Sequence, residues 1–559
     1  MKPGGWSRAA VPALLATFFL VATSASWMKS ATFDEAVHIY SGWRILTAGD
    51  FSTNHEHPPL MKMLAGIPVV LSGARPPSAP MKSEADQWQV SHDFLHHAND
   101  ADGLLRAARL PITLLAVVLA WTLHRHAAAI LGPEAALVVL ALLVFEPNML
   151  AHSALVTTDL GNTAMTFLTF AAFVRAMRSG ARAHVAAAGL MLGLALLTKF
   201  TAVFLLPMLA VCGALLVVFE PIGSGGWRRL ATTVMGMGVI GLFVLNLGYG
   251  FGGTFSSLRG FTPESETFRQ RAAGPLGGVP LPLPVEYVRG FDHAEAGGQR
   301  WWGYLFGQYS QTGWRHYHLA ALAVKTPLPL LVMALAGLVL WSRAAGPGRG
   351  DPKAADLLIP AVPLLGYLAA FTLSSNLKNI GLRYILPVYP FLCLFAGTAV
   401  RARVTRRWVP WVLVGGQALA VAWVYPDFLT FFNLTVGGPS RGKEVLLDSN
   451  LDWGQDLKGL GQWIRDNKVE RIYVDYFGRA CLRKEGVHST PDFEGGLIAV
   501  SATHLKGVYA EDKDRYRFLW GLTPRAVIGR SIFVYETPRP PDWKPKAGSA
   551  ESARAAEPG

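Results

Sequence analysis

The feature that most constrains this chain is a series of long apolar segments that recur from residue 10 to residue 425. About 20 largely apolar residues are needed for a helix to cross the hydrocarbon core of a bilayer. Since 51% of the 559 residues are hydrophobic, the sequence predicts a polytopic α-helical membrane protein with about eleven transmembrane helices. The candidate spans are 10–27, 104–124, 133–150, 159–177, 183–198, 201–219, 230–250, 319–341, 357–375, 384–400 and 408–425.

The charges between these spans predict which side of the membrane each connection faces. The chain has a formal net charge of +13, but its Lys and Arg residues cluster in every second connection and form no basic stripe, so no nucleic-acid partner is predicted. Cytoplasmic loops are rich in Lys and Arg, which places residues 28–103, residues 251–318 and everything after residue 425 outside the cytoplasm. The first span could instead be a signal peptide, which would leave this sidedness unchanged.

Three regions follow from this pattern: a membrane domain over residues 1–425, a small extracytoplasmic α/β domain over 426–536, and a disordered tail over 537–559. We call residues 28–103 the first loop, 251–318 the long loop and 426–536 the C-terminal domain. Within that domain the predicted elements are one helix and four strands: 456–466, and 445–447, 471–477, 497–501 and 531–535. The three cysteines provide no disulfide framework, because only Cys481 lies outside the predicted spans.

Ionisable residues at the outer edge of the first span give the strongest functional signal. Asp34 and Glu35 directly follow that span, and His38 shares a helix face with Asp34. Ionisable groups near a membrane are costly and usually serve a function. The alternative is a solvated helix start, where acidic residues are favoured by the helix dipole.

A second polar run in the first loop, Asn54 to Lys62, contains His55, Glu56 and His57 before a rigid double proline. These three side chains are candidate ligands for a divalent metal, although such spacing in a loop is weak evidence for one. The alternative is a surface turn that begins an interfacial helix. No cofactor is certain from the sequence, and a divalent metal is possible.

Several cations are also expected on the outer face. Lys and Arg are normally scarce in loops outside the cytoplasm, so an anionic phosphate at the membrane edge would explain their presence there. For each cation alone, contact with lipid headgroups is the alternative. These residues are Arg106, Arg109, Lys199, Lys325, Lys378 and Arg383.

Four motifs in order resemble one known family. They are Phe33-Asp34-Glu35, the run from Asn54 to Lys62, the run from Arg383 to Phe391, and the run from Asp448 to Leu457. Together they are similar to the bacterial polyprenyl-phosphate-dependent glycosyltransferases of the GT-C superfamily, which are related to the protein O-mannosyltransferases and the lipid A aminoarabinose transferase.

The resemblance implies a GT-C fold and an inverting transfer of a sugar from a polyprenyl-phosphate donor, outside the bacterial cytoplasmic membrane. Asp34 then corresponds to the catalytic base, with Glu35 beside it as the second catalytic residue. The resemblance and the charge pattern together give as substrate-binding candidates Glu56, His57, Lys62, Arg106, Arg109, Lys199, Lys325, Arg383, Tyr384, Asp452, Trp453 and Gln455.

Two questions stay open at this point. The acceptor is a protein, a lipid or a polysaccharide, and the sugar is undetermined. The 448–457 segment either holds a sugar or acceptor, or serves to cap the following helix with Asp452 as N-cap residue. The competing function is a transporter or flippase for lipid-linked sugars, which would place its polar sites in broken helices near the membrane midplane.

Overall fold

The computed structural model describes residues 5–220, 225–297, 301–344, 354–374, 379–403 and 406–544. Most of these residues are helical, and each predicted span coincides with a helix or with a bent pair of helices. The predicted outer-face residue Lys378 lies outside the described residues. The helices before the long loop are α1 (Gly5–Trp27), α2 (Glu35–Ala48), α3 (Leu60–Leu71), α4 (Gln87–His96), α5 (Ala101–Leu131), α6 (Pro133–Val144), α7 (Pro147–Ser153), α8 (Thr158–Ser179), α9 (Arg182–Leu196), α10 (Leu205–Phe219) and α11 (Gly226–Gly248).

The second half of the chain mixes membrane helices with short elements. Its helices are α12 (Glu266–Ala273), α13 (Val285–Ala296), α14 (Tyr317–Lys325), α15 (Leu328–Val339), α16 (Trp341–Ala344), α17 (Ala354–Leu358), α18 (Ala361–Leu373), α19 (Tyr389–Arg401), α20 (Val409–Val424), α21 (Leu457–Asp466) and α22 (Ala502–Leu505). Its strands are β1 (Gly303–Leu305), β2 (Gln308–Ser310), β3 (Tyr473–Asp475), β4 (Gly496–Ser501), β5 (Ala526–Ile528) and β6 (Ile532–Thr537).

Six helical segments of the described chain are long and apolar enough to cross a membrane, or up to eight if each of two bent pairs is one span. Helices α9 and α20 are apolar but shorter, with 15 and 16 residues. The chain is therefore a polytopic membrane protein, while the count of eleven spans stays a prediction. Helix α19 is buried continuously from Tyr389 to Thr398 and contacts α5, α6 and α15, so it forms the centre of the bundle.

The two bent spans have proline at the break. Helices α6 and α7 meet at 62°, with Pro147 opening α7, and α14 and α15 meet at 116° across Pro327. Proline removes an amide donor and disfavours helix at the preceding residue, so each span breaks there. The two breaks contact each other, because Asn148 Nδ2 donates to the carbonyl oxygen of Lys325 at 2.7 Å.

The first loop is a compact helical layer. Helices α2 and α3 cross so closely that a Cβ on Gly42 would lie 1.9 Å from the Lys62 carbonyl oxygen, and a Cβ on Gly66 would lie 2.7 Å from the Gly42 carbonyl carbon. Small residues at such a crossing let two helices approach at backbone distance. Most of α2 is buried in this layer.

The C-terminal domain contains a four-stranded sheet in the order β3-β4-β6-β5. Strand β3 is parallel to β4, and the other two pairings are antiparallel, with Ile498 opposite Tyr535 in the central pair. The predicted strand at residues 445–447 is wrong: Leu446 donates its amide to the Gly442 carbonyl, so this buried apolar run ends a tight turn. Of the predicted tail, Trp543 is still buried against Tyr473, and residues 545–559 lie outside the described residues.

Candidate active site

Asp34 lies immediately before the first turn of α2, in the connection between α1 and α2. Its carboxylate caps no amide of that helix, so the side chain is available for another partner. Burial raises the pKa of Asp34 to about 6, although the neighbouring Arg383 guanidinium opposes the shift. A carboxylate with such a pKa is ionised at neutral pH and basic enough to accept a proton.

Arg383 lies between two carboxylates. Its Nη1 is 3.5 Å from Asp34 Oδ2 and 3.6 Å from Asp159 Oδ2. Within the described part of the chain, its buried Nε donates no hydrogen bond and Asp159 Oδ2 accepts none. Because buried polar atoms are normally paired, this incomplete pairing indicates that the site is built for a further polar group.

Lys199 adds a second cation to the same site. Its Nζ is 2.6 Å from Asp159 Oδ1 and 4.4 Å from the ring centre of Tyr384. Asp159 thus holds both Lys199 and Arg383 near Asp34, and the two cations together can bind an anion bidentately. Asp159 was not predicted from the sequence, where it is the first residue of an apolar span.

The 448–457 segment packs against this site and binds the backbone next to its two charged residues. Trp453 is buried, and its ring centre lies 4.4 Å from the guanidinium carbon of Arg383. Its carbonyl oxygen accepts the amide hydrogen of Phe33 at 2.9 Å, which fixes the residue before Asp34. Asn450 Oδ1 similarly accepts the amide of Leu382 at 2.8 Å, which fixes the residue before Arg383.

The other members of this segment are engaged in the fold. Asp452 accepts the amide of Thr503 at 2.9 Å, and it is not an N-cap because α21 begins at Leu457. Gln455 bonds to the backbone at Leu451 and Trp453 through its side chain. In the described structure these two predicted substrate-binding residues therefore hold the segment together.

Asp448 was not predicted as a site residue, but it lies near Arg383 of the site. It adopts a left-handed backbone with φ of +55°, which is strained for a residue other than glycine, and its carboxylate accepts a hydrogen bond from the Tyr509 hydroxyl. Burial raises the pKa of Asp448, and the charge of Arg383 acts against that shift. The site thus gathers Asp34, Asp159 and Asp448 around Arg383.

Glu35 was predicted to act in catalysis beside Asp34, but the structure places it in a fully paired position. Arg109 donates to it twice, at 2.8 and 2.6 Å, and the amides of Thr32 and Val156 donate at 2.8 and 2.9 Å. Although burial opposes the change, this pairing lowers the pKa of Glu35. Arg109 also donates to carbonyl oxygens after α1, so the pair fixes the start of the first loop and Arg109 has no free edge for a phosphate.

Three further predicted phosphate or substrate ligands also lie elsewhere. Lys62 donates to the Asn54 carbonyl oxygen at 2.9 Å, and Lys325 donates to those of Leu429 and Asn450 at 2.7 and 2.5 Å. Arg106 is half exposed and lies near Asp102 on the surface of α5. The partners of these three cations are set by tertiary contacts, which the sequence pattern did not predict.

His55, Glu56 and His57 do not converge on one point. His55 Nδ1 is 3.2 Å from Glu286, and Glu56 is 3.6 Å from His293, so two of them join the first loop to α13 of the long loop. The ring of His57 lies 5.1 Å from that of His38. The predicted three-residue metal ligand set is therefore not formed among the described residues.

Residues 102–247 match the family model described as dolichyl-phosphate-mannose-protein mannosyltransferase. This segment contains Arg109, Asp159 and Lys199 of the region described above. No curated protein matches the chain.

A comparison with solved structures found the following similarities. ArnT from Cupriavidus metallidurans bound to undecaprenyl phosphate is 14% identical, with 98% of this chain and 100% of that chain covered and a TM-score of 0.48. The Archaeoglobus fulgidus oligosaccharyltransferase is 9% identical, with 90% and 71% covered and a TM-score of 0.47. The Saccharomyces cerevisiae Pmt1-Pmt2 complex bound to the sugar donor is 17% identical, with 45% and 34% covered and a TM-score of 0.35.

The family relation rests on the matched segment, which confirms the resemblance found in the sequence motifs. Residues 102–247 of this chain are therefore similar to the dolichyl-phosphate-mannose-protein mannosyltransferase family.

Proposed function

We propose that this protein transfers a sugar from a polyprenyl phosphate to an acceptor hydroxyl by a single inverting displacement, with Asp34 as general base. The observation that carries the proposal is the Asp34 carboxylate, with its raised pKa, 3.5 Å from a buried arginine whose Nε has no hydrogen-bond partner among the described residues. A base and a cation for the leaving group are what such a displacement requires.

In the proposed step the acceptor oxygen attacks the anomeric carbon of the sugar while Asp34 takes the hydroxyl proton. The bond from that carbon to the phosphate oxygen breaks, and its electron pair stays on the phosphate. Arg383 and Lys199 stabilise the negative charge that grows there, and the Trp453 ring holds the Arg383 guanidinium in place. Asp159 positions both cations and does not contact the reacting atoms.

The remaining residues near the site support it indirectly. Glu35 and Arg109 fix the backbone on which Asp34 sits. Glu56, through His293, connects the first loop to the long loop, which we propose as a wall of the acceptor side. We further propose that this site faces the non-cytoplasmic side of a bacterial cytoplasmic membrane, as the charge distribution predicts.

The alternative transporter function is favoured by one observation, the two broken spans. In transporters, polar groups freed by such breaks bind the substrate. Here those groups bond to each other: Asn148 joins the Lys325 carbonyl and Glu146, and Lys325 Nζ joins two further carbonyl oxygens. The breaks therefore serve packing, and the enzyme is the better-supported function.

The test uses purified full-length protein in nanodiscs with a panel of polyprenyl-phosphate hexoses, pentoses and aminosugars, and measures release of polyprenyl phosphate. Acceptors are envelope lipids, polysaccharide fragments and peptides. We expect Asp34→Asn to lower the rate by about 10²- to 10⁴-fold, the usual contribution of a general base. Asp102→Asn is the matched control, because Asp102 is half exposed and pairs with Lys458 away from the site. Transfer by Asp34→Asn at the wild-type rate, or no release by wild type from any donor, would refute the proposal.

A further inference from the structure

Three side chains with metal-binding chemistry converge at a second place, away from Asp34. His92 lies in the middle of α4 and His97 directly follows that helix, while Cys481 belongs to the C-terminal domain. One ligand atom from each of the three lies within 4.8 Å of the other two. In the described part of the chain this is the one group of three or more His, Cys, Asp or Glu side chains that meets this criterion.

The three side chains are free to bind a ligand and can be reached from solvent. His97 is exposed and the other two are partly exposed. Cys481 has no disulfide partner, since the other two cysteines are buried in α10 and α19. The adjacent His96 is buried, its ring centre lies 4.8 Å from that of His92, and its Nε2 has no hydrogen-bond partner within the described residues.

We propose that His92, His97 and Cys481 bind a borderline-soft divalent cation such as Zn²⁺ and thereby join α4 to the C-terminal domain. Two imidazoles and one thiolate are a ligand set that zinc prefers, with water or His96 completing a tetrahedron. Bonds of about 2.0–2.3 Å from zinc to these atoms require donor atoms on the order of 3–4 Å apart. We propose that the exposed His97 side chain moves to that spacing when the ion binds.

The position of the cluster gives the ion a consequence for the candidate active site. Trp88 lies one helical turn before His92 on α4, and Arg479 lies two residues before Cys481. The guanidinium carbon of Arg479 is 4.3 Å from the Trp88 ring centre and 4.7 Å from that of Phe33, the neighbour of Asp34. An ion that clamps α4 to Cys481 therefore tightens the stack of Trp88, Arg479 and Phe33 beside Asp34; this effect on transfer rests on the proposed function, whereas ion binding does not.

The test is metal binding by the full-length protein in detergent, with the affinity tag removed and metal stripped by a chelator. Zn²⁺ is titrated calorimetrically, and Co²⁺ is titrated while the near-ultraviolet charge-transfer absorption of a cobalt–thiolate bond is recorded. We expect one ion per chain, a charge-transfer band, and at least about tenfold weaker Zn²⁺ binding in both Cys481→Ser and His97→Ala. His488→Ala is the matched control, because His488 is an exposed histidine seven residues from Cys481.

Each outcome of the titrations either supports or overturns the proposed metal site. Loss of the band in Cys481→Ser, with unchanged binding in His488→Ala and an unchanged gel-filtration profile, supports the site. A wild type that binds Co²⁺ without a thiolate band, or that binds no ion, overturns it, as does a Cys481→Ser variant that binds as wild type. If binding is found but no donor is turned over by wild type, the proposed function fails and the metal site stands.

Discussion

Asp34→Asn should raise the stability of the folded protein while it removes activity. Burial raises the pKa of Asp34 from 3.8 to about 6, which means that the folded state disfavours its ionised form. Above pH 6 the carboxylate is nevertheless charged, and the fold carries that cost. Asparagine keeps the shape of the side chain and removes the charge, so the cost disappears.

The magnitude follows from the shift of about two pKa units at about 1.4 kcal/mol each, which gives roughly 3 kcal/mol. This is an upper limit, since the side chain keeps 18% of its surface exposed and solvent screens part of the effect. The sign depends on pH. The folded state holds the Asp34 proton more tightly than the unfolded state, so wild-type stability falls between about pH 4 and pH 6. The stability advantage of the variant therefore grows over that range and is complete above it.

The measurement is the free energy of unfolding in mixed micelles of a mild detergent and dodecyl sulfate, at pH 4.5 and pH 8, for wild type and Asp34→Asn. Glu35→Gln is the contrasting variant on the next residue, because its carboxylate is fully paired and its loss leaves Arg109 as a buried uncompensated charge. We expect destabilisation of about 3–5 kcal/mol for Glu35→Gln. A loss of stability in Asp34→Asn at pH 8, or equal effects at both pH values, would refute the assignment of a destabilising buried charge to Asp34.

Three more predictions concern the neighbouring charges. Arg383→Gln removes the cation that opposes the raised pKa of Asp34, so the acid limb of the pH–rate profile should move to higher pH and the rate should fall by about 10²- to 10³-fold; an unmoved limb would contradict this. Hydrogen bonding to Glu56 and Glu264 outweighs burial and raises the pKa of His293 to about 9. The stabilisation that protonated His293 gives to the contact between the first loop and the long loop is therefore complete below about pH 6.5 and lost as pH rises through 9. Proteolysis near α12 and α13 should accelerate over that pH range in wild type, whereas its rate in His293→Gln should not depend on pH. Lys325→Met should lower stability by about 2 kcal/mol or more, because two buried carbonyl oxygens lose their donor, with the KM for donor unchanged; a raised KM in a stable variant would restore Lys325 as a substrate ligand.

The sequence predicted the spans and the loops because both depend on local composition. Apolar length and basic clusters locate α1 or α11 without knowledge of their neighbours. Which group each charged side chain pairs with depends on the fold, and the sequence did not predict these pairs. Arg109 and Arg383 look alike in the sequence, yet Arg109 is saturated by Glu35 and backbone oxygens, while Arg383 keeps a buried Nε unpaired among the described residues.

Asp159 is a residue of the candidate site that was not predicted from the sequence. A carboxylate at the start of an apolar span is a signal that sequence reading could have used, since a buried acid in a membrane protein requires a partner. The partners, Lys199 and Arg383, are 40 and 224 residues away in the chain. No periodicity connects such positions, so only the folded structure identifies Asp159 as the residue that holds both cations.

The 448–457 segment explains why the C-terminal domain and the membrane bundle form a single site. Its backbone binds the residue before Asp34 through the Trp453 carbonyl and the residue before Arg383 through the Asn450 side chain. Its Trp453 ring lies against the Arg383 guanidinium itself. Asp34, the proposed base, and Arg383 are therefore positioned by the same ten residues, and a displacement of this segment changes their separation directly. A role in holding sugar is not needed to account for its residues. The requirement that the Asp34 carboxylate and the Arg383 guanidinium stay 3.5 Å apart accounts for Asn450 and Trp453 together.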